Sequence, residues 1–275
     1  MLKIFLVVIL AMCMMMPLTA DAKSQELTID GDHGKLAAVL QTPDNASKYP
    51  LVIICHGFTA QKEQDLLKNL ADDLESRGIA SIRFDFNGHG ASEGDFQQMT
   101  VPNEIEDAKC VYAYVRDLPE VTSVSLAGHS QGGVVASMVA GQLGSSKIKA
   151  LALMAPAAVL RDDALRGNIF TEHYDAVNPP EYVELDHRGT KKLGRNYIKT
   201  AQTLPIYETA ERFHGKVFMI HGTGDIVVPY TYSLRYYDIY PGSKIRLLKD
   251  FDHGFTQDTV KTAKFVADFF AKELK

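Results

Sequence analysis

From residue 26 onward, short apolar runs alternate with longer stretches of helical periodicity. The runs fall at 26–29, 36–41, 51–56, 80–86, 121–127, 148–155, 217–221 and 244–248, each bounded by turn residues. Near-continuous apolar runs of this length mark strands covered on both faces. Helical patterns lie between or after them, at 64–77, 103–118, 130–143, 230–239 and 257–274. Strand and helix in alternation predict a mostly parallel α/β sheet with crossover helices, wound right-handed from residue 51. A short turn containing Asp30-Gly31-Asp32 separates the first two runs, which predicts an antiparallel hairpin at the sheet edge.

One stretch breaks the rhythm. From Pro156 to about Leu204 the chain is mixed and polar, with Asn178-Pro179-Pro180 in its middle. Roughly fifty residues is too long for a plain loop and predicts an inserted lid or binding segment at 156–204. The N-terminus differs again: Lys3, an apolar run from Ile4 to Met16, then Pro17 and Ala20-Asp21-Ala22. That is the pattern of a secretory signal peptide, and the run falls short of the ~20 residues of a membrane span. Cleavage after Ala22 is expected to leave an exported domain, periplasmic or secreted, at 23–275, with no stable membrane span after processing.

At 275 residues the chain can bury one sizeable core but is short for two ordinary domains and a leader. Removing 1–22 takes away Lys3 and Asp21 together, so the formal net charge stays at −5. No basic tract points to nucleic acid or anionic lipid as a partner. Cys55 in an apolar strand and Cys110 in a helical stretch predict two separate buried thiols, which leaves stability to the core. Nothing in the pattern decides between monomer and homodimer.

Chemistry concentrates in three places. Gly128-His129-Ser130-Gln131-Gly132 follows one strand and opens a helix, the setting of a nucleophile elbow, with Ser130 as nucleophile. A serine hydroxyl needs a base to remove its proton and an acid to hold that base. In the chain order that goes with such an elbow, the acid is Asp225, in the turn after the strand at 217–221, and the base is His253, ahead of the last helix. Asp250 and Asp252 are rival acids, but they precede His253 too closely to reach its far ring nitrogen. His56, His89, His129 and His221 read as structural hydrogen-bonding residues. The oxyanion donors are expected to be the backbone N–H groups of Gln131 and of Phe58, after the third strand. The glycine-rich Asn87-Gly88-His89-Gly90 lacks nucleotide-binding spacing, and no H-E-x-x-H or paired C-x-x-C occurs. No cofactor and no metal are called for.

With those residues in place, the chain from about Glu26 resembles the bacterial cinnamoyl (feruloyl) esterases of the α/β-hydrolase superfamily. The resemblance is carried by His56-Gly57-Phe58, Arg83-Phe84-Asp85-Phe86-Asn87-Gly88-His89-Gly90, the elbow, Ala155-Pro156-Ala157-Ala158, Leu204-Pro205-Ile206-Tyr207-Glu208 and His221-Gly222-Thr223-Gly224-Asp225. It implies the α/β-hydrolase fold, a mostly parallel eight-stranded sheet with flanking helices and an inserted lid. It also implies that Asp163 and Tyr197, from the lid, bind the phenolic hydroxyl of an aromatic acid, with Asp162 as the alternative to Asp163. Phe170 stands where relatives can carry a polar side chain, which leaves the preferred ring substituents open. The expected activity is release of ferulate, p-coumarate or caffeate from a small aromatic ester or a feruloylated oligosaccharide. Its rivals are a general short-chain carboxylesterase, a lipase or an acyl-peptide hydrolase, and a binding protein that keeps the fold without catalysis.

Overall fold

The computed structural model describes residues 23–44, 46–185 and 191–274. The leader expected at 1–22 lies outside the described residues. Strands β1 (Lys23–Asp30), β2 (Lys35–Thr42), β3 (Tyr49–Cys55), β4 (Ala80–Phe84), β5 (Val121–His129) and β6 (Ile148–Met154) come first. The insertion follows with β7 (Asn168–Ile169), β8 (Glu172–His173), β9 (Tyr182–Leu185) and β10 (Lys191–Gly194), and then β11 (Lys216–Gly222) and β12 (Lys244–Leu248). The helices are α1 (Asp65–Glu75), α2 (Val101–Arg116), α3 (Gln131–Leu143), α4 (Val159–Arg166), α5 (Arg195–Gln202), α6 (Ile206–Ala210), α7 (Thr231–Ile239) and α8 (Thr259–Glu273).

An eight-stranded sheet runs in the order β1-β2-β4-β3-β5-β6-β11-β12. Strand β2 is antiparallel to both its neighbours, and the remaining pairs are parallel. The edge hairpin is therefore β1–β2, as the short turn requires. The fourth strand stops at Phe84, two residues before the apolar run ends: the Asp85 N–H still reaches β2, donating to Ala37 O, but the Phe86 N–H turns away to a ring nitrogen of His56.

Side-chain alternation sorts each strand between two cores. Leu51, Ile53 and Cys55 of β3 face one core, beneath α2 and α3, whereas Val52 and Ile54 face the other, beneath α1 and α8. Helix α1 shows the cause in its sequence: Leu66, Leu67, Leu70, Ala71 and Leu74 recur at helical spacing and are its buried residues. Among the described residues both cysteines are free, but only Cys55 is buried; Cys110 is half-buried on α2, a correction to the expected pair of buried thiols. Cys110 falls beside the apolar stripe of that helix and not on it.

The topology sets where a site forms. The chain passes from β3 to β4 at one side and then crosses back to β5 on the other, so a crevice opens at the carboxyl ends of β3 and β5. The start of α3 lies so near the end of β3 that a Cβ on Gly132 would sit 2.2 Å from His56 O and 2.5 Å from Cys55 O. This approach brings Gln131 and Phe58 to one edge. Gly132→Ala should cost about 3 kcal/mol or more through overpacking against backbone that cannot yield, read as a lowered urea midpoint; an unchanged midpoint would show that β3 and α3 separate freely.

Candidate active site

Ser130 stands between β5 and α3 with φ 56° and ψ −123°, a conformation that residues with side chains rarely adopt. Its surroundings fix it. The Ser130 N–H donates to Met154 O at 2.9 Å, and its carbonyl accepts from Gly133 N and Ala157 N at 2.9 and 3.0 Å. A Cβ on Gly128 would lie 2.1 Å from Gly132 O, so the turn also needs glycine two residues ahead of the serine.

The structure brings the three separated side chains together. Ser130 Oγ lies 2.8 Å from His253 Nε2, and His253 Nδ1 lies 2.7 Å from Asp225 Oδ2. The other oxygen of Asp225 accepts the N–H groups of Val227 and Val228 at 2.9 and 2.8 Å. Burial alone would raise the Asp225 carboxyl, but hydrogen bonds from His221 and His253, the charge of His253 and the Val228 N–H outweigh it and hold the carboxyl well below the usual range. Asp250 and Asp252 make no hydrogen bond to His253 among the described residues; Asp252 is engaged by Thr256. The backbone of His253 is held as well, since His129 Nε2–H donates to its carbonyl at 2.8 Å. Burial lowers His129 to about 3, so it stays neutral in that role.

The two expected oxyanion donors lie on the same cavity as Ser130. Among the described residues, no acceptor takes the backbone N–H of Phe58 or of Gln131. The orientation of the Phe58 N–H follows from His56. Its Nε2 accepts the Phe86 N–H at 3.1 Å, which makes Nδ1 the donor, to Gly57 O at 2.8 Å. Carbonyl and N–H of one planar peptide point opposite ways, so pinning Gly57 O aims the Phe58 N–H to the other side. Burial lowers His56 to about 4, which keeps this arrangement intact at neutral pH.

The cavity holds about 490 Å³ and is roofed by the insertion. Phe58, Leu160, Phe170 and Tyr197 give it apolar walls, and Asp163 and Arg166 add charge. The Phe58 ring lies 5.8 Å from that of Phe170 and 5.6 Å from that of Tyr197. Asp162 does not line the cavity, because the Tyr232 hydroxyl donates to its carboxylate at 2.6 Å. Asp163 does line it, half-buried, with its carboxyl raised by burial and by Asp162 against the lowering effect of Arg166. Tyr197 is also placed there, but its hydroxyl donates to Gln131 Oε1 at 2.6 Å, so its oxygen meets a ligand only as an acceptor. Gln131 Nε2 in turn donates to Glu104 Oε2 at 2.8 Å. Burial raises the Glu104 carboxyl well above its ordinary value of 4.5. Sequence reasoning missed this Tyr197–Gln131–Glu104 chain, which joins the insertion to the residue after the serine.

A sheet of this order with a serine, histidine and aspartate at its carboxyl edge defines the serine-hydrolase class of α/β proteins. Comparison with known proteins agrees. Residues 46–179 match the family model described as serine aminopeptidase, S33. The ferulic acid-bound Est1E of Butyrivibrio proteoclasticus superposes with a TM-score of 0.86, at 31% identity over 90% of this chain and 98% of that one. Among curated proteins, an uncharacterized 31.7 kDa Escherichia coli protein of the traX-finO intergenic region is 31% identical over 36% of this chain. The lysophosphatidylserine lipase ABHD12 of Danio rerio is 25% identical over 72% of it. These matches span 35% and 49% of the two curated relatives. The chain belongs to the α/β-hydrolase superfamily.

Two outcomes follow from the charges. Asp225→Asn should lower kcat by about 10⁴, because the histidine loses the partner that fixes its tautomer, and should also lower the urea midpoint at neutral pH, because an amide –NH2 cannot accept the N–H groups that bond the carboxylate. Glu104 holds its proton more tightly folded than unfolded, so its ionisation tendency drains folded stability as pH rises above 4.5. Glu104→Gln removes that slope, and its stability relative to the parent chain should grow as pH rises above 4.5. Asp107 nearby, raised to about 6 by burial, is present in both chains, and its charge is one of the groups that raise Glu104. Parallel stability profiles would mean that Glu104 is ionised in the fold.

Proposed function

We propose that the chain is an exported serine esterase that releases hydroxycinnamic acids such as ferulate, p-coumarate and caffeate from plant-derived esters through an acyl-enzyme. Ser130 Oγ attacks the ester carbonyl carbon as His253 Nε2 takes its proton. The oxyanion rests between the N–H groups of Phe58 and Gln131, where preorganised donors stabilise developing charge without reorganisation. Collapse breaks the bond to the alcohol, which leaves with the proton from His253. Water then repeats the sequence on the acyl-serine, releasing the acid and restoring Ser130. Asp225 keeps His253 in the tautomer that presents Nε2 to the serine.

The observation that carries the substrate reading is the cavity: aromatic walls at Phe58, Phe170 and Tyr197, with Asp163, whose carboxylate makes no hydrogen bond among the described residues, as an acceptor for a ring hydroxyl. The 31% identity to a structure holding ferulic acid supports it. The insertion acts as the lid. A second reading, an esterase or lipase for alkyl acyl chains, draws on the apolar wall of the same cavity and on the lipase among the curated relatives.

A panel of methyl ferulate, p-coumarate, caffeate, cinnamate and butyrate esters separates the two. Ser130→Ala should abolish turnover of all five. Asp163→Asn should lower kcat/KM for the three hydroxylated esters by about ten- to a hundredfold while sparing cinnamate and butyrate. Equal losses across the panel, or a parent enzyme that prefers butyrate, would give the site to alkyl esters.

A further inference from the structure

Asp225 is held by a second histidine that faces away from the cavity. His221, near the end of β11, is fully buried, and so is Ser233 on α7. His221 Nε2 lies 3.1 Å from Asp225 Oδ2 and 2.9 Å from the carbonyl oxygen of Val228. A carboxylate and a carbonyl only accept, so Nε2 carries a proton and donates to both. In the neutral ring Nδ1 is then an acceptor, and the Ser233 hydroxyl donates to it at 2.6 Å. One carboxylate is thus shared by two serine–histidine pairs, Ser130–His253 on the cavity and Ser233–His221 sealed in the core.

We infer that His221, oriented by Ser233, is a positioning residue for Asp225: it shares Oδ2 with His253, stops the carboxylate from turning, and moderates how strongly that oxygen holds the Nδ1 proton of His253. The inference rests on Ser130, His253 and Asp225 working as proposed above. A carboxylate offers about four lone-pair sites, and here all are met: two backbone N–H groups on Oδ1 and two ring N–H groups on Oδ2. Loss of the His221 donor would leave Oδ2 with His253 alone. The carboxylate could then swing with the histidine, which loosens the alignment of Nε2 on the serine, while the bond to Nδ1 tightens. A histidine that merely packed the loop would bond the Val228 carbonyl and leave Oδ2 to His253. The shared oxygen gives His221 its bearing on the reaction. Ser233 reaches it from the helix after the loop, so strand, acid loop and helix converge on one ring.

The test compares His221→Leu, His221→Gln and Ser233→Ala in the full chain, with p-nitrophenyl butyrate turnover, thermal midpoint and the low-field proton resonance of His253 Nδ1–H as readouts. His221→Leu should lower kcat by about ten- to a hundredfold with KM moving less than about twofold, and should shift the resonance downfield. His221→Gln, whose amide N–H replaces Nε2–H, should recover most of kcat. Ser233→Ala should lower kcat by about three- to tenfold and shift the resonance in the same direction. Unchanged kcat and an unmoved resonance beside a lowered thermal midpoint would overturn the proposal. If His221→Leu does not fold, the same decision falls to Ser233→Ala. Turnover that survives Ser130→Ala would instead defeat the triad on which the inference rests.

Discussion

The site depends on the approach of two backbone segments that hold each other in conformations neither would keep alone. Ser130 at φ 56° is strained by roughly 1 to 3 kcal/mol, and strain persists only where the surroundings over-determine it. Here β6 supplies Met154 O, the chain after it supplies Ala157 N–H, and the missing side chains of Gly128 and Gly132 let the elbow close on itself and on β3. That closure lifts the serine hydroxyl toward His253. It also sets the N–H groups of Gln131 and Phe58 on one cavity. Nucleophile placement and oxyanion placement are therefore one event in the fold, set by the same packing.

Around that turn, the polar groups are fixed in charge. Burial keeps His56 and His129 neutral, so their donated hydrogen bonds to Gly57 O and His253 O persist as the reaction proceeds. Asp225 is kept ionised by the groups that bond it. His253 is thus surrounded by fixed neighbours, and in the proposed reaction the proton it takes from Ser130 has no competing acceptor in His56 or His129. Preorganisation of this kind stabilises developing charge because nothing has to turn when the oxyanion forms.

The sheet and the three reactive residues were legible because each is tied to a local pattern: apolar runs of strand length, a serine between strand and helix, an acid and a histidine just past strand ends. What was not legible depends on contacts between distant parts. Glu104 left a signal, since it falls on the apolar stripe of α2 with Val101, Ile105 and Ala108, where a charged residue has no solvent. The sequence alone does not name Gln131 as its partner. His221 sits in the same short segment as Asp225, and only the folded loop separates a strand-ending histidine from one that bonds the acid. Asp162 and Asp163 are adjacent in sequence, and the distinction between them comes from Tyr232, seventy residues away. Within 156–204 the chain forms two-turn helices and very short hairpins, too brief for periodicity to register.

The insertion is joined to the reactive groups by a narrow polar bridge, and this shapes how the site divides its tasks. Ser130, His253 and Asp225 stand on the sheet and its loops, whereas Asp163, Phe170 and Tyr197 come from the insertion. Tyr197 reaches across to Gln131, which lines the cavity beside Ser130 and whose side chain is anchored by Glu104 on α2. A change in the cavity wall at Phe170 can alter which acyl group fits without touching that bridge. A change at Tyr197 cannot, because its hydroxyl hydrogen is already committed to the residue that follows the nucleophile. Under the proposed function, selectivity at Asp163 and Phe170 is thereby separable from chemistry, and at Tyr197 the two are coupled through a single side-chain amide.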